Sequence, residues 1–304
     1  MDRLDALRAF VVAVDRGSLS AAAQALRRSA ASITRAIDML EARVGAPLLR
    51  RTTRSLRLTE AGERYLLVAR RVLADLDEAE RTTGTALSEP KGLLSVTAPV
   101  AFGSLHVRPI VDDFLARHPG ARVQLLLLDR VVSVIEEGLD IAVRIGPLPD
   151  SALLATALGS VRRVVVASPE YLARYGRPRE PQELVGHRCI VPTALMPQDG
   201  WSFGKGKGAR ARRVRVEPVL SVNTTVAAIA SAVSGVGITC ALSYQVTEQL
   251  QHGTLVRLLP AFEPTPMPVH LLCPAASART AKVRAFVELA VPALRAALDF
   301  KVVY

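Results

Sequence analysis

Cysteine is scarce in this chain of 304 residues, which carries only Cys189, Cys240 and Cys273. An odd number at such wide spacing offers neither a disulfide framework nor a pair of zinc ligands, and it fits a reducing compartment. Catalytic signatures are missing as well. There is no nucleophile elbow, Walker sequence or paired metal ligand. The run GKGKG at 204–208 lacks the serine or threonine and the spacing of a phosphate loop, and GVGITC from Gly235 lacks the third glycine of a dinucleotide fingerprint. An enzyme with an α/β core and five histidines is therefore the weaker reading, and no catalytic residue, metal or cofactor is expected. The short apolar stretch Ala9 to Val14 has acids on both sides and no small-residue cleavage site, so it is not read as a signal peptide. Residues 218–247 carry no charge, yet Asn223, Thr224, Thr225, Ser231, Ser234, Gly235 and Gly237 interrupt them. Strand, helix, strand explains that stretch better than a membrane span. A soluble, cytoplasmic chain without a membrane partner is expected.

Acid is absent from one further place, the whole interval between Glu41 and Glu60, which holds Arg43, Arg50, Arg51, Arg54 and Arg57. Leu48, Leu56 and Leu58 can anchor a hairpin there, with the arginines at its tip and along its strands. Just upstream, Ile33, Ile37, Leu40 and Val44 recur at three-to-four spacing, which predicts a helix over 30–44 with these residues buried. Ser29 stands at its N-cap, and Gly45 followed by Pro47 supplies the stop. Ser32, Thr34, Arg35 and Asp38 then face outward. A shorter stripe of Leu19, Ala22, Ala23 and Leu26, opened by Ser18, predicts a preceding helix joined by a tight turn. Two short helices followed by an arginine-bearing hairpin describe a winged helix-turn-helix, whose partner is duplex DNA. The bland alternative is a solvated basic surface, and the ordered co-occurrence of helix and wing argues against it.

The same residues resemble the DNA-binding domain of LysR-type transcriptional regulators. The match runs in register through Ser29, the Thr34–Arg35 pair, Gly45 to Leu48, Arg51 to Arg54 and Leu58 to Gly62. One departure stands out: Ala30 and Ala31 occupy positions where the family usually has glutamine and proline, so a methyl group replaces an amide able to read adenine. The resemblance implies double-stranded promoter DNA as partner, contacted by Ser29, Ala30, Ser32, Ile33, Thr34, Arg35, Arg50, Arg51, Thr52, Thr53 and Arg54. It also implies a small-molecule effector, a homodimer built on a linker helix, and commonly a tetramer.

Charge alone does not locate the site. The chain is +11, but residues 1–90 hold 15 arginines against 12 acids and the remainder is more basic. Placement of the arginines carries the argument instead. A second basic run, Lys205, Lys207, Arg210, Arg212, Arg213 and Arg215, reads as a solvated glycine-rich loop, with an anionic ligand or DNA contact as the alternative.

From the wing to residue 88 one proline-free helix is expected. Tyr65, Ala69, Val72, Leu76, Ala79, Thr83 and Ala86 alternate by four and three, a seam that needs a partner helix or the helix's own domain. After the turn at Glu89 to Gly92, strands at 93–98, 123–128 and 140–145 alternate with helical segments near 104–117 and 131–137. A second set places strands at 163–168, 189–191, 214–220 and 237–241 with a helix over 223–234, then a strand at 269–273 and a helix at 281–298. That alternation predicts mostly parallel sheets. The fold expected is α/β: a winged helix-turn-helix (1–60), a linker helix (61–90) and a two-lobed effector domain (91–304) resembling periplasmic solute-binding proteins. Lobe I would take about 91–161 and 268–304, and lobe II about 162–267. A free-standing solute-binding protein is a rival that the DNA module disfavours. Ligands of such sheets settle beyond the carboxyl ends of strands, which selects Thr97, Val100, Ala101, Arg144, Asn223 and Thr224 as effector residues, against capping or core support. Arg144, inside an apolar strand, needs a bound anion or a carboxylate such as Asp140 or Asp150, so the effector is expected to be anionic.

Overall fold

A computed structural model describes residues 2–51, 56–82, 89–130, 132–148, 152–193, 200–204 and 212–299. Its first unit begins with α1 (Arg3–Arg16), the helix that covers the apolar stretch 9–14, and continues through α2 (Leu19–Ala25) and α3 (Ala30–Val44). Both later helices start where a serine replaces the missing backbone acceptor: Ser18 Oγ accepts from the Ala21 amide at 3.4 Å and Ser29 Oγ from the Ser32 amide at 3.2 Å. Gly45 closes α3 with φ +74°, a left-handed cap that a β-carbon would strain. The turn between α2 and α3 is less comfortable, since Arg27 adopts φ +52° without being glycine.

Phe10, Ala22, Ile33, Ile37, Leu40 and Leu48 form the core of this head. Val44, expected on the buried face, is instead exposed, as the last residue of the helix before the Gly45 cap turns the chain away. The wing consists of β1 (Leu49–Arg51) and β2 (Leu56–Leu58), paired antiparallel, and leads into α4 (Glu60–Thr82). Gly62 is what lets α4 sit against the wing: a β-carbon there would lie 2.0 Å from the Leu48 carbonyl oxygen. Tyr65 and Ala69, the first two residues of the expected seam, pack inward on the head. Ala69 is buried in the head and the Tyr65 ring meets Phe10 edge-on at 5.8 Å, because the first turns of α4 complete the head's own core. Thr83 and Ala86 lie outside the described residues.

The remaining chain builds two five-stranded sheets. The first combines β3 (Gly92–Ala98), β4 (Ala121–Leu127), β5 (Ile141–Ile145), β6 (Leu153–Val161) and β14 (Met267–Pro274) in the order β4-β3-β5-β14-β6. Between β3 and β4 run α5 (Val100–Phe102), a π turn (Gly103–Val107) and α6 (Arg108–Arg117). The second sheet contains β7 (Arg163–Ala167), β8 (Cys189–Pro192), β11 (Pro218–Val222), β12 (Ile238–Leu242) and β13 (Val256–Leu258) in the order β11-β8-β12-β7-β13. A separate antiparallel pair, β9 (Trp201–Phe203) and β10 (Arg212–Val214), lies beside it, and α7 (Pro169–Tyr175), α8 (Thr225–Val233), α9 (Thr247–Gln251) and α10 (Ala281–Leu298) complete the unit.

Neither sheet is mostly parallel as the alternation predicts. β3 pairs parallel with β4 and β5, but β14 runs antiparallel to β5 and β6. Likewise β8 pairs parallel with β11 and β12, while β7 is antiparallel to β12 and β13. The antiparallel strands in each sheet lie where the chain crosses between the sheets, entering the second at Arg163 after the single residue Arg162 and returning to the first at Met267. The expected strand over 214–220 is two strands in different sheets, broken ahead of Pro218. Where a helix is expected over 131–137, the described residues from 132 onward form turns, closed by Glu137 N to Ser133 O at 3.0 Å and Leu139 N to Val134 O at 2.9 Å. Val132, Val134 and Leu139 bury together against Ala142 and Leu272, which pulls the chain off a helical path.

A buried ion pair locks the C-terminal helix to this first sheet. Lys282 Nζ donates to the Leu93 carbonyl at 2.7 Å and lies 3.4 Å from Asp140 Oδ2, which also accepts from the Ser95 amide at 2.9 Å. Phe286 of α10 meets Phe114 of α6 edge to face at 5.4 Å across the same core.

Candidate nucleic-acid interface and effector lobes

The outer face of α3 is polar and open. Ser29, Ala30 and Arg35 are exposed and Ser32 and Thr34 half-buried, so five of the expected contact residues line one accessible surface. Arg35 Nε donates to the Ala31 carbonyl at 3.3 Å, which folds its guanidinium back over the first turn of the helix. Ile33 must be withdrawn from the contact set: its side chain is fully buried, because its helical phase joins it to Ile37 and Leu40 rather than to Thr34.

The wing is held by an acid that sequence reasoning did not single out. Glu41 Oε1 accepts from the amides of both Leu48 and Leu49, at 2.7 and 2.9 Å, and so fastens the start of β1 to the last turn of α3. Thr59 continues the clamp, donating to the Pro47 carbonyl at 2.6 Å and capping α4 by accepting from the Gly62 amide at 3.0 Å. On the hairpin so fixed, Arg50 and Arg57 are direct cross-strand partners and both are exposed. Like charges placed opposite each other destabilise a free hairpin. A polyanion laid across the pair removes that repulsion. Thr52, Thr53, Arg54 and the side chain of Arg51 lie outside the described residues.

In the effector unit the six expected residues separate into two groups. Thr97 pairs with Ala142 of β5, and Arg144 stands two residues on, so Thr97 and Arg144 share one face of the first sheet. Thr97 is fully buried, and its Oγ1 has no hydrogen-bond partner among the described residues. Val100 and Ala101 follow directly beyond the carboxyl end of β3, where the Val100 amide donates to Asp129 Oδ1 at 3.0 Å. Asn223 and Thr224 are exposed at the end of β11 in the second sheet, and Thr224 Oγ1 caps α8 by accepting from the Ala227 amide at 3.4 Å. Arg144 does not pair with Asp140, whose carboxylate serves Lys282 and Ser95; its Nη2 donates to the Val132 carbonyl at 3.2 Å. Burial pushes the Arg144 guanidinium down in pKa, an effect that the Glu137 carboxylate opposes and the Arg130 charge reinforces. Asp150, the other partner considered, lies outside the described residues.

Contact between the lobes is aromatic. Phe102 and His106, on either side of the π turn's start, enclose Tyr244 of the second lobe with ring centroids 5.3 and 5.6 Å away. The three cysteines are all buried free thiols. Desolvation pushes Cys189 and Cys240 up to about 12, and Cys273 is also raised, so none is set up as a nucleophile. No group of metal-ligating side chains occurs among the described residues, and no helix there is long and apolar enough to cross a membrane.

Comparison with known proteins agrees with this architecture. Residues 4–63 match the model of the bacterial regulatory helix-turn-helix protein, lysR family, and residues 87–295 match the LysR substrate binding domain. An HTH-type transcriptional regulator of Xanthomonas campestris is 32% identical over 293 residues, covering 96% of this chain and 85% of the relative. The regulator PtxR of Pseudomonas aeruginosa is 34% identical over 285 residues, covering 94% and 91%. Among solved structures, CrgA of Neisseria meningitidis, a LysR-type transcriptional regulator, aligns with a TM-score of 0.61 at 31% identity over 95% of this chain and 98% of that one. Full-length AphB of Vibrio cholerae, described as a virulence activator, gives a TM-score of 0.61 at 26% identity over 96% and 99%. With a reading helix, a clamped basic wing and a two-sheet effector unit matched along nearly its whole length, the chain belongs to the LysR family of helix-turn-helix transcriptional regulators.

Proposed function

We propose that the protein is a non-enzymatic, cytoplasmic regulator that holds promoter DNA as a dimer and changes its grip when a small anion enters between the two lobes. The observation that carries the reading is the outer face of α3 beside the opposed Arg50 and Arg57, a polar reading surface next to a double positive charge with no acid paired to it among the described residues. In this arrangement Ser32, Thr34 and Arg35 enter the major groove, and Arg50 and Arg57, with Arg51 and Arg54, lie on the phosphates. Thr97, Val100, Ala101, Arg144, Asn223 and Thr224 take the effector, with the buried Thr97 hydroxyl and the Arg144 guanidinium on one wall. Closure would repack the Phe102–His106–Tyr244 cluster that joins the lobes.

Dimerisation uses the part of the α4 seam that the head leaves open, Val72 onward, together with the adjacent Leu67 and Val68. Leu67, Val68 and Val72 are exposed, on a helix whose opposite side is already committed to the head. A second copy of α4 covers them, and tetramers follow from further contacts of the effector units. Changing Val68 to Asp is harmless to a monomer and unfavourable in a buried seam.

The test is DNA affinity against salt for three variants. Arg57→Ala is expected to flatten the salt dependence by about one unit for any sequence. Arg35→Ala is expected to weaken binding and relax sequence choice, and Val68→Asp to lower sedimentation mass and palindrome affinity together. Parental behaviour in all three sinks the proposal.

A further inference from the structure

The outward stripe of α3 is Ala31, Arg35, Asp38 and Ala42, all exposed, opposite the buried Ile33, Ala36, Ile37 and Leu40. Asp38 carries the wrong charge for a phosphate, so the part of the stripe suited to DNA is its first two turns. Ala31 and Arg35 form the centre of that part, with Ala30 and Thr34 beside them on the same side of the helix. Arg35 Nε donates to the Ala31 carbonyl at 3.3 Å, and no other partner of its guanidinium lies among the described residues. The bond draws the guanidinium back over the turn that carries the two alanine methyl groups. A fork of free donors therefore stands beside a surface whose side chains hold neither donor nor acceptor. Ser29, which precedes the alanines, already serves as the N-cap, its Oγ accepting from the Ser32 amide at 3.2 Å.

Guanine matches such a fork through O6 and N7. Residues four apart on a helix have Cβ atoms about 5–6 Å apart, and the folding back of Arg35 shortens that reach towards the roughly 3.4 Å of one base step. The base stacked on the guanine consequently meets the alanine methyl groups. Alanine cannot sense O4 of thymine or the amine of cytosine; it can only pack on a methyl group at pyrimidine C5. We propose that α3 selects a 5-methylated pyrimidine next to a guanine, with Ala31 packed on the methyl and Arg35 holding the guanine, and that 5-methylcytosine serves there as thymine does. Methylation of a cytosine beside a guanine then strengthens a promoter site, which makes the protein's grip responsive to a covalent mark on its DNA. A glutamine at this helix start would read adenine through its amide and be indifferent to the methyl. The inference rests on the reading that α3 enters the major groove, and it adds Ala31 and the base that Ala31 recognises.

The test starts from a random duplex library, from which the full-length protein enriches its own target. The enriched duplex is remade with thymine, uracil, 5-methylcytosine or cytosine at the pyrimidine beside the guanine, the opposite base matched, and affinities are compared at one salt concentration. Within each pair, thymine against uracil and 5-methylcytosine against cytosine, only the methyl differs. Loss of the methyl is expected to weaken binding about fourfold in both pairs, the contribution of one buried methyl group. Ala31→Gly and Ala31→Ser are expected to remove the difference within each pair, and the serine keeps a side chain well suited to a helix start. Replacing the guanine by 7-deazaguanine, which lacks N7, is expected to weaken the parent about tenfold and Arg35→Ala hardly at all. Failure to enrich any sequence overturns the major-groove reading and this inference with it. An enriched sequence without a thymine beside a guanine, or equal affinity within either pair, overturns the methyl readout alone. Methyl dependence that persists in both Ala31 variants overturns the assignment to Ala31, and an unchanged affinity of the parent for the 7-deazaguanine duplex overturns the role of Arg35.

Discussion

The head and the effector unit put the same residue, arginine, to opposite uses. On the head, Arg35, Arg50 and Arg57 are exposed, and the backbone of the wing is held by Glu41 and Thr59. In the effector unit Arg144 is half-buried against a backbone carbonyl, and Arg257 is spent on the buried Glu263. Exposed cations separated by a short rigid hairpin suit a polyanion of fixed geometry. Partly buried cations in a low-dielectric setting discriminate between small ligands, because an unpaired charge there is costly. The lesson is that net charge says little about either site, whereas the support under each guanidinium says what it is for.

The largest effect that separates the two units comes from the buried pair under the first sheet. Asp140→Ala leaves Lys282 buried without its carboxylate and is expected to cost about 3–5 kcal/mol. Replacing both, with Asp140→Leu and Lys282→Met, is expected to recover much of that. Urea unfolding followed by Trp201, which reports only on the effector unit, measures it; an Asp140→Ala midpoint equal to the parent's contradicts a structural role for the pair. The head should keep its half-site affinity throughout.

A smaller loss is expected in the head. Glu41→Ala strands the amides of Leu48 and Leu49 and is expected to cost about 1–3 kcal/mol, loosening the wing more than α3. Glu41→Gln, which keeps an acceptor, separates the hydrogen bonds from the charge. Hydrogen exchange at the Leu48 and Leu49 amides is the measurement, and unchanged protection in Glu41→Ala removes the clamp from the account.

The smallest effect runs the other way. Arg27 occupies the left-handed region between α2 and α3, so Arg27→Gly is expected to stabilise the head by roughly 1 kcal/mol. Calorimetry of the head's transition decides it, and a fall in midpoint shows that the Arg27 side chain contributes more than its backbone costs.

The reading helix was legible because its signals are local. Ser29 and Gly45 bracket α3 within sixteen residues, and Ile33, Ile37 and Leu40 mark its inner face; the same periodicity, taken seriously, already excluded Ile33 from DNA. The start of the α4 seam was read too early for a physical reason. A helix with apolar residues on more than one stripe does not record which of them its own domain consumes, and here Tyr65 and Ala69 went to the head while Val72 of the same seam, with Leu67 and Val68, stayed outside. Arg144 resembled a ligand anchor in an apolar strand, but whether Asp140 was free to pair with it depended on Lys282, far along the chain.

Sequence by itself determined the family, the limits of α3 and α10 and the basic character of the wing, since capping, helical phase and turn chemistry act over a few residues. Only the tertiary structure decided the mixed direction of both sheets, the clamp by Glu41, the face that α4 leaves open and the pairing of Arg257 with Glu263 near the second crossing. Those features rest on contacts such as Lys282 to Leu93, 189 positions apart, and a pattern confined to neighbouring residues cannot encode which distant segment arrives to satisfy it.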